Sequence, residues 1–105
     1  MKVMISQPMK GKTNEEIKKE REIIVKKLEK EGHEVVNTII DDFIEGEGND
    51  YAIRCLAKSI EFIASVDCVV FMKGWNEARG CRIEHQVAFD YGKFVRIMED
   101  VKINE

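Results

Sequence analysis

The sequence has no excess of basic residues, few cysteines and no long apolar run, and each shortage excludes something. Lys and Arg number 17 against 20 Asp and Glu, for a formal net charge of −3. Nothing in that balance neutralises a nucleic-acid backbone, which argues against a nucleic-acid polymer as the main partner. Cys55, Cys68 and Cys81 are odd in number and lack C-x-x-C spacing, so neither a disulfide framework nor a zinc site is expected. They fit a reducing compartment, and a cytoplasmic location without metal or cofactor is the expectation. No apolar stretch approaches the roughly 20 residues of a membrane helix. Met1 to Ser6 offers only a short apolar stretch before Gln7 and Pro8, which reads as a strand and not as a secretion signal. Internal repeats and low-complexity tracts are absent as well.

What is present describes one ordinary globular domain over residues 1–105, with 35% charged and 44% hydrophobic residues. A chain of this size buries roughly 60–70% of its unfolded surface around a single core.

The apolar run Val3-Met4-Ile5 predicts a first strand over residues 2–6, ended by Pro8, which cannot continue a central strand. Thr13 and Glu16 have capping-box spacing, and Ile17, Arg21, Ile24 and Leu28 recur on one helical face until Gly32 offers a left-handed cap. His33 to Asn37 reads as a second strand, and Thr38 to Asp50 as an acidic, glycine-containing loop suited to a rim or lid. Ile53, Leu56, Ala57, Ile60, Ile63 and Ala64 place a second helix over residues 51–65. Asp67 to Met72 is a nearly continuous apolar run, as for a central strand buried on both faces. After the loop Lys73 to Asn76, the residues Cys81, Ile83, Val87, Ala88 and Tyr91 carry a third helix to Gly92, and Phe94 to Met98 forms the last strand. This βαβαβαβ order predicts an α/β fold: a flavodoxin-like or Rossmann-like three-layer sandwich around a mostly parallel four-stranded sheet of order 2-1-3-4.

In such sheets the ligand crevice opens at the carboxyl ends of the strands. Ser6 to Lys12, the start of the acidic loop, and Lys73 to Arg79 are therefore the expected rim. Gly11-Lys12-Thr13 ends like a nucleotide-triphosphate loop, but Ser6 stands where that motif begins with glycine, and Gln7, Pro8 and Met9 make a stiffer turn. Two milder readings stay open: Ser6 and nearby backbone N–H groups receive a hydroxyl or a phosphate, or the segment is only a strand-to-helix turn. Gly80 weakens its helix relative to alanine, which suggests close approach by another group. Glu84 follows Gly80 by four residues and borders the stripe of Ile83 and Val87, so its carboxylate looks toward the crevice, helped to ionise by the helix amino terminus. His85 points about 100° away, which removes a Glu–His dyad. Trp75 either stacks on a base or plugs the core edge, and Tyr51 shares that ambiguity. Asp67 reads as a structural residue between helix and strand. Asp41 and Asp42 read as solvated, one of them within reach of a ribose hydroxyl.

Three segments carry a resemblance: Val3 to Met9, the stretch Lys58-Ser59-Ile60-Glu61 leading to Asp67-Cys68-Val69-Val70-Phe71, and Ala78-Arg79-Gly80-Cys81-x-x-Glu84. Together they resemble the nucleoside 2-deoxyribosyltransferase-like superfamily, most closely a small branch found in bacteria and their phages. The resemblance implies that Glu84 attacks the anomeric carbon of a (deoxy)ribosyl group, giving a glycosyl-enzyme that water or a second base resolves. It also implies a sugar or phosphate pocket lined by Ser6, Gly11 and Gly80 and the neighbouring Gln7, Pro8 and Met9. Trp75 and Asn76 would lie toward the base, and a homodimer or larger homo-oligomer would complete the site. This chain departs from the superfamily pattern in carrying Ser59, expected to line the substrate site, where relatives often have a helix aspartate, and Asn76-Glu77-Ala78-Arg79 where they tend to have an acidic or proline-led loop. Glu77 is the candidate substitute for the missing acid. The small-molecule partner implied is a nucleoside or nucleotide, for transfer or hydrolysis at the N-glycosyl bond. Two alternatives accompany it: a binding module without turnover, and a phage-related interaction protein of the same fold.

Overall fold

A computed structural model describes residues 1–36 and 48–98. Its strands are β1 (Lys2–Ser6), β2 (Glu34–Val35), β3 (Cys68–Met72) and β4 (Phe94–Met98), and its helices α1 (Asn14–Lys30), α2 (Gly48–Ile63) and α3 (Arg79–Asp90). All strand pairs are parallel and the order is β2-β1-β3-β4, as the alternation predicts. Parallel strands require long crossovers, and the helices that supply them cover both faces.

Each face has its own core, because successive strand residues point to opposite sides. Val3, Ile5, Cys68, Val70, Met72 and Met98 pack with Ile24 and Leu28 of α1. Met4, Val69 and Phe71 pack with Ile63, Val66, Cys81 and Ala88 beneath α2 and α3. All five residues of β3 are buried, which is the environment its unbroken apolar run demands. β2 keeps only two residues at the sheet edge, shorter than the predicted span, although the N–H groups of Glu34 and Val36 still donate to Met1 and Val3 carbonyls at 3.0 and 2.8 Å. Asn37 and the acidic segment to Glu47, with Asp41 and Asp42, lie outside the described residues.

Thr13 caps α1, its hydroxyl accepting the Glu16 N–H at 3.1 Å, and Gly32 leaves the helix at φ +93°. Asp67 has the structural role expected of it: its carboxylate accepts the Lys2 N–H at 2.9 Å while its own N–H donates to the Lys2 carbonyl at 2.7 Å. Two helices sit differently from their predicted phase. α2 begins at Gly48, and its inner stripe runs through Ala52, Leu56, Ser59 and Ile63, which leaves Ile53 63% exposed. α3 buries Cys81, Glu84 and Ala88, while Ile83 and Tyr91, expected in the core, are 43% and 79% exposed. Among the described residues no helix is long and apolar enough to cross a membrane.

Candidate active site

β1 delivers Ser6 to the carboxyl edge of the sheet beside Phe71 of β3, on the face covered by α2 and α3. Above it, α3 turns the stripe Cys81, Glu84 and Ala88 inward, so Glu84 faces the sheet and not the solvent. The Ser6 hydroxyl donates to Glu84 Oε2 at 2.6 Å, inside the range of a charge-assisted O–H···O bond. From α2, Ser59 is near enough to Glu84 to favour its ionised form, and the Cys81 thiol is near Ser6. Three elements distant in sequence thus converge on one carboxyl group.

Burial pushes the Glu84 carboxyl above the ordinary glutamate range, and the Ser6 hydroxyl bond and the nearby Ser59 pull it partly back. Burial likewise pushes the Cys81 thiol up, Ser6 opposing and the Glu84 charge reinforcing the shift. The expected help from a helix amino terminus is not what sets this site: α3 starts at Arg79, so Glu84 lies beyond the first turn, where that field has faded. Neither Arg79 nor Arg82 pairs with Glu84; the Arg82 guanidinium donates instead to the Asn76 carbonyl at 3.3 Å. A buried carboxyl held by neutral donors is expensive, and perturbed carboxyls of this kind concentrate at functional sites.

The first loop divides its residues between two jobs. Pro8 packs against Gly74, whose φ of +89° starts a 3₁₀ turn, Trp75–Glu77, so the two crevice loops touch. Gln7 is buried and turned toward α1, its amide Nε2 donating to the Ile17 carbonyl at 2.8 Å, and its Oε1 has no partner. Met9 is 54% exposed, and Gly11 is exposed with φ +79°. The nucleotide-triphosphate reading of Gly11-Lys12-Thr13 fails on its own residues, since Lys12 is spent on Glu20 at 2.8 Å and Thr13 on the helix cap. Trp75 stacks on His85 with centroids 4.3 Å apart and leans on Phe71 at 5.5 Å, which makes it an edge of the core. Asn76 is exposed. No side chain or backbone crowds Gly80: a Cβ there would find nothing within 4 Å.

The structure therefore gathers Ser6, Ser59 and Glu84, sets Pro8 and Gly74 side by side at the rim, and keeps Met9 and Gly11 on the outer loop. Cys81 belongs to the same cluster and was not among the residues singled out from sequence, although its place three before Glu84 puts both on one helical face. A cavity of about 220 Å³ lies elsewhere, lined by Met1, Leu28, His33, Cys68, Phe94 and Arg96 among others, and includes none of these residues. Among the described residues no group of three or more His, Cys, Asp or Glu converges to hold a metal.

A family model described as "Domain of unknown function (DUF4406)" matches residues 1–97. No curated protein sequence matches the chain. Among solved structures, the Clostridium botulinum CMP N-glycosidase BcmB shares the fold, with a TM-score of 0.58 at 22% identity over 92% of this chain and 67% of that one.

Proposed function

This chain belongs to the DUF4406 family, and from that premise we propose that it breaks or exchanges the N-glycosyl bond of a nucleoside or nucleotide, with Glu84 as nucleophile. The observation that carries the reading is the buried Glu84 carboxylate clasped by Ser6 at the carboxyl edge of the sheet. It is supported by a fold in common with a CMP N-glycosidase. One Glu84 oxygen forms a bond to the anomeric carbon as the carbon–nitrogen bond breaks. The bonding pair leaves with the base, which takes a proton from water. Water then releases the sugar, or a second base accepts it. Two steps with a carboxylate ester between them replace one difficult displacement.

Lys10 and Lys73 are exposed on the crevice loops and Arg79 at the start of α3, and they favour a phosphorylated substrate over a free nucleoside. The open space over Gly80 gives the ligand room beside α3.

A binding module without turnover is the second reading, favoured by the 8% exposure of Glu84. Purified protein incubated with ribo- and deoxyribonucleosides and their 5′-monophosphates, with and without an acceptor base, separates the two. Free base followed by chromatography is expected with wild type and absent with Glu84→Gln. Saturable nucleotide binding with no base release would establish the second reading, and equal release by both proteins would remove Glu84 from the chemistry.

A further inference from the structure

Ser6 does more than line a pocket. We infer that Ser6 is a positioning residue for Glu84, fixing Oε2 so that the other oxygen, Oε1, is the one presented to the anomeric carbon. The inference rests on the function proposed above.

Ser6 is 2% exposed and ends β1, where it pairs in register with Phe71 of the buried central strand β3. Its hydroxyl has one proton, and that proton is committed to Glu84 Oε2 at 2.6 Å. A substrate acceptor would have to displace this bond to take a proton from Ser6. A glutamate side chain rotates about several bonds, and an attacking oxygen is effective only within a narrow geometry. One short bond from a rigid strand supplies that restraint. During the reaction Oε1 bonds to the anomeric carbon and the carbon–nitrogen pair departs with the base. Oε2 becomes the ester carbonyl and still accepts from Ser6, so the hydrogen bond need not break.

The surroundings leave this role to hydroxyls. On α3 the titratable neighbour of Glu84 is Cys81, whose thiol burial keeps protonated. α2 brings Ser59, β1 brings Ser6, and β3 brings one ionisable group, Cys68, on the opposite face of the sheet. Among the described residues no Lys, Arg or His forms a salt bridge with Glu84, whose hydrogen bond comes from the Ser6 hydroxyl. Loss of the Ser6 hydroxyl therefore shows directly in that equilibrium.

The test uses the full chain with carbon-13 in its glutamate carboxyls, the Glu84 signal being identified by its absence in Glu84→Gln. Ser6→Ala is expected to move the Glu84 titration midpoint to higher pH, and Ser6→Thr to restore it. With the substrate found above, Ser6→Ala should lower kcat by roughly 10²-fold and leave KM nearly unchanged, its acid limb moving with the midpoint. Ser6→Gly serves as a second hydroxyl-free variant if Ser6→Ala melts early. An unchanged midpoint in both hydroxyl-free variants overturns the inference, as does a raised KM with unchanged kcat, which would make Ser6 a substrate contact. Absence of base release by wild type overturns the proposed function instead, whatever the titration shows.

Discussion

Pro8 Cγ lies 3.7 Å from the point where a Cβ on Gly74 would stand, so the loop leaving β1 and the loop leaving β3 are packed against each other. That spacing is ordinary van der Waals contact and leaves room for a methyl group. The backbone does not: Gly74 has φ +89° and ψ 0°, a conformation that costs an L-residue about 1–2 kcal/mol. Gly74→Ala should therefore destabilise the domain by about 1 kcal/mol, read as a fall of roughly 4–8 °C in Tm. A steric origin would instead show as rescue by Pro8→Ala in the double variant, and no rescue is expected.

Burial makes Glu84 a pH-dependent weakness in the fold. Its carboxyl titrates higher in the folded chain than in the unfolded one. Below the ordinary glutamate range both states hold the proton. As pH rises above that range the unfolded chain ionises first, so stability falls until the raised folded value is passed. Glu84→Gln cannot ionise, and its amide oxygen still accepts from Ser6. Urea unfolding across a pH series should find the variant equal to wild type in acid and more stable near neutrality. Parallel profiles would mean that Glu84 does not titrate differently on folding.

Much of this was legible in the sequence, and the misses have physical causes. The unbroken run Cys68 to Met72 identifies the central strand because only a strand buried on both faces needs no polar side. Order 2-1-3-4 follows if the chain reverses direction after its first two strands, as in flavodoxin-like sheets. Helical periodicity fixes the presence of α2 and α3 but not their rotation, because Ile and Ala occur on flanks as well as on the inner stripe. Ile53 and Ile83 were misplaced for that reason. Glu84 was recognisable through its motif, whereas its burial was not, since a helix glutamate is usually solvated. Ser59 came into view where the expected aspartate was missing, and in the structure it lies on the inner stripe of α2 and favours the ionised form of Glu84.

The turn before α1 gives a third prediction. Thr13 satisfies the Glu16 N–H through its side chain, and Lys12 is tied to Glu20. Thr13→Ala should cost about 1 kcal/mol, and Thr13→Asp should recover most of it. Lys12→Ala should cost less, about 0–1 kcal/mol, because that ion pair is partly exposed. Base release should be nearly the same in Lys12→Ala as in wild type. A collapse of turnover there would return Lys12 to phosphate binding.

Phe71 is where stability and the site are joined. It is fully buried, pairs in register with Ser6, and touches both Trp75 and His85, at 5.5 and 5.1 Å between ring centroids. Phe71→Ala removes the support beneath the 3₁₀ turn and opens a cavity under α3, at a cost of about 3–5 kcal/mol. Phe71→Leu keeps most of the volume and should cost much less, about 1 kcal/mol. Trp75 is the only tryptophan in the chain, so its emission reports the turn alone. In the folded Phe71→Ala protein that emission should shift to the red as Trp75 loses its buried edge, while Phe71→Leu stays close to wild type. An unshifted emission in Phe71→Ala, at full loss of stability, would show that stacking on His85 is enough to hold Trp75 in place.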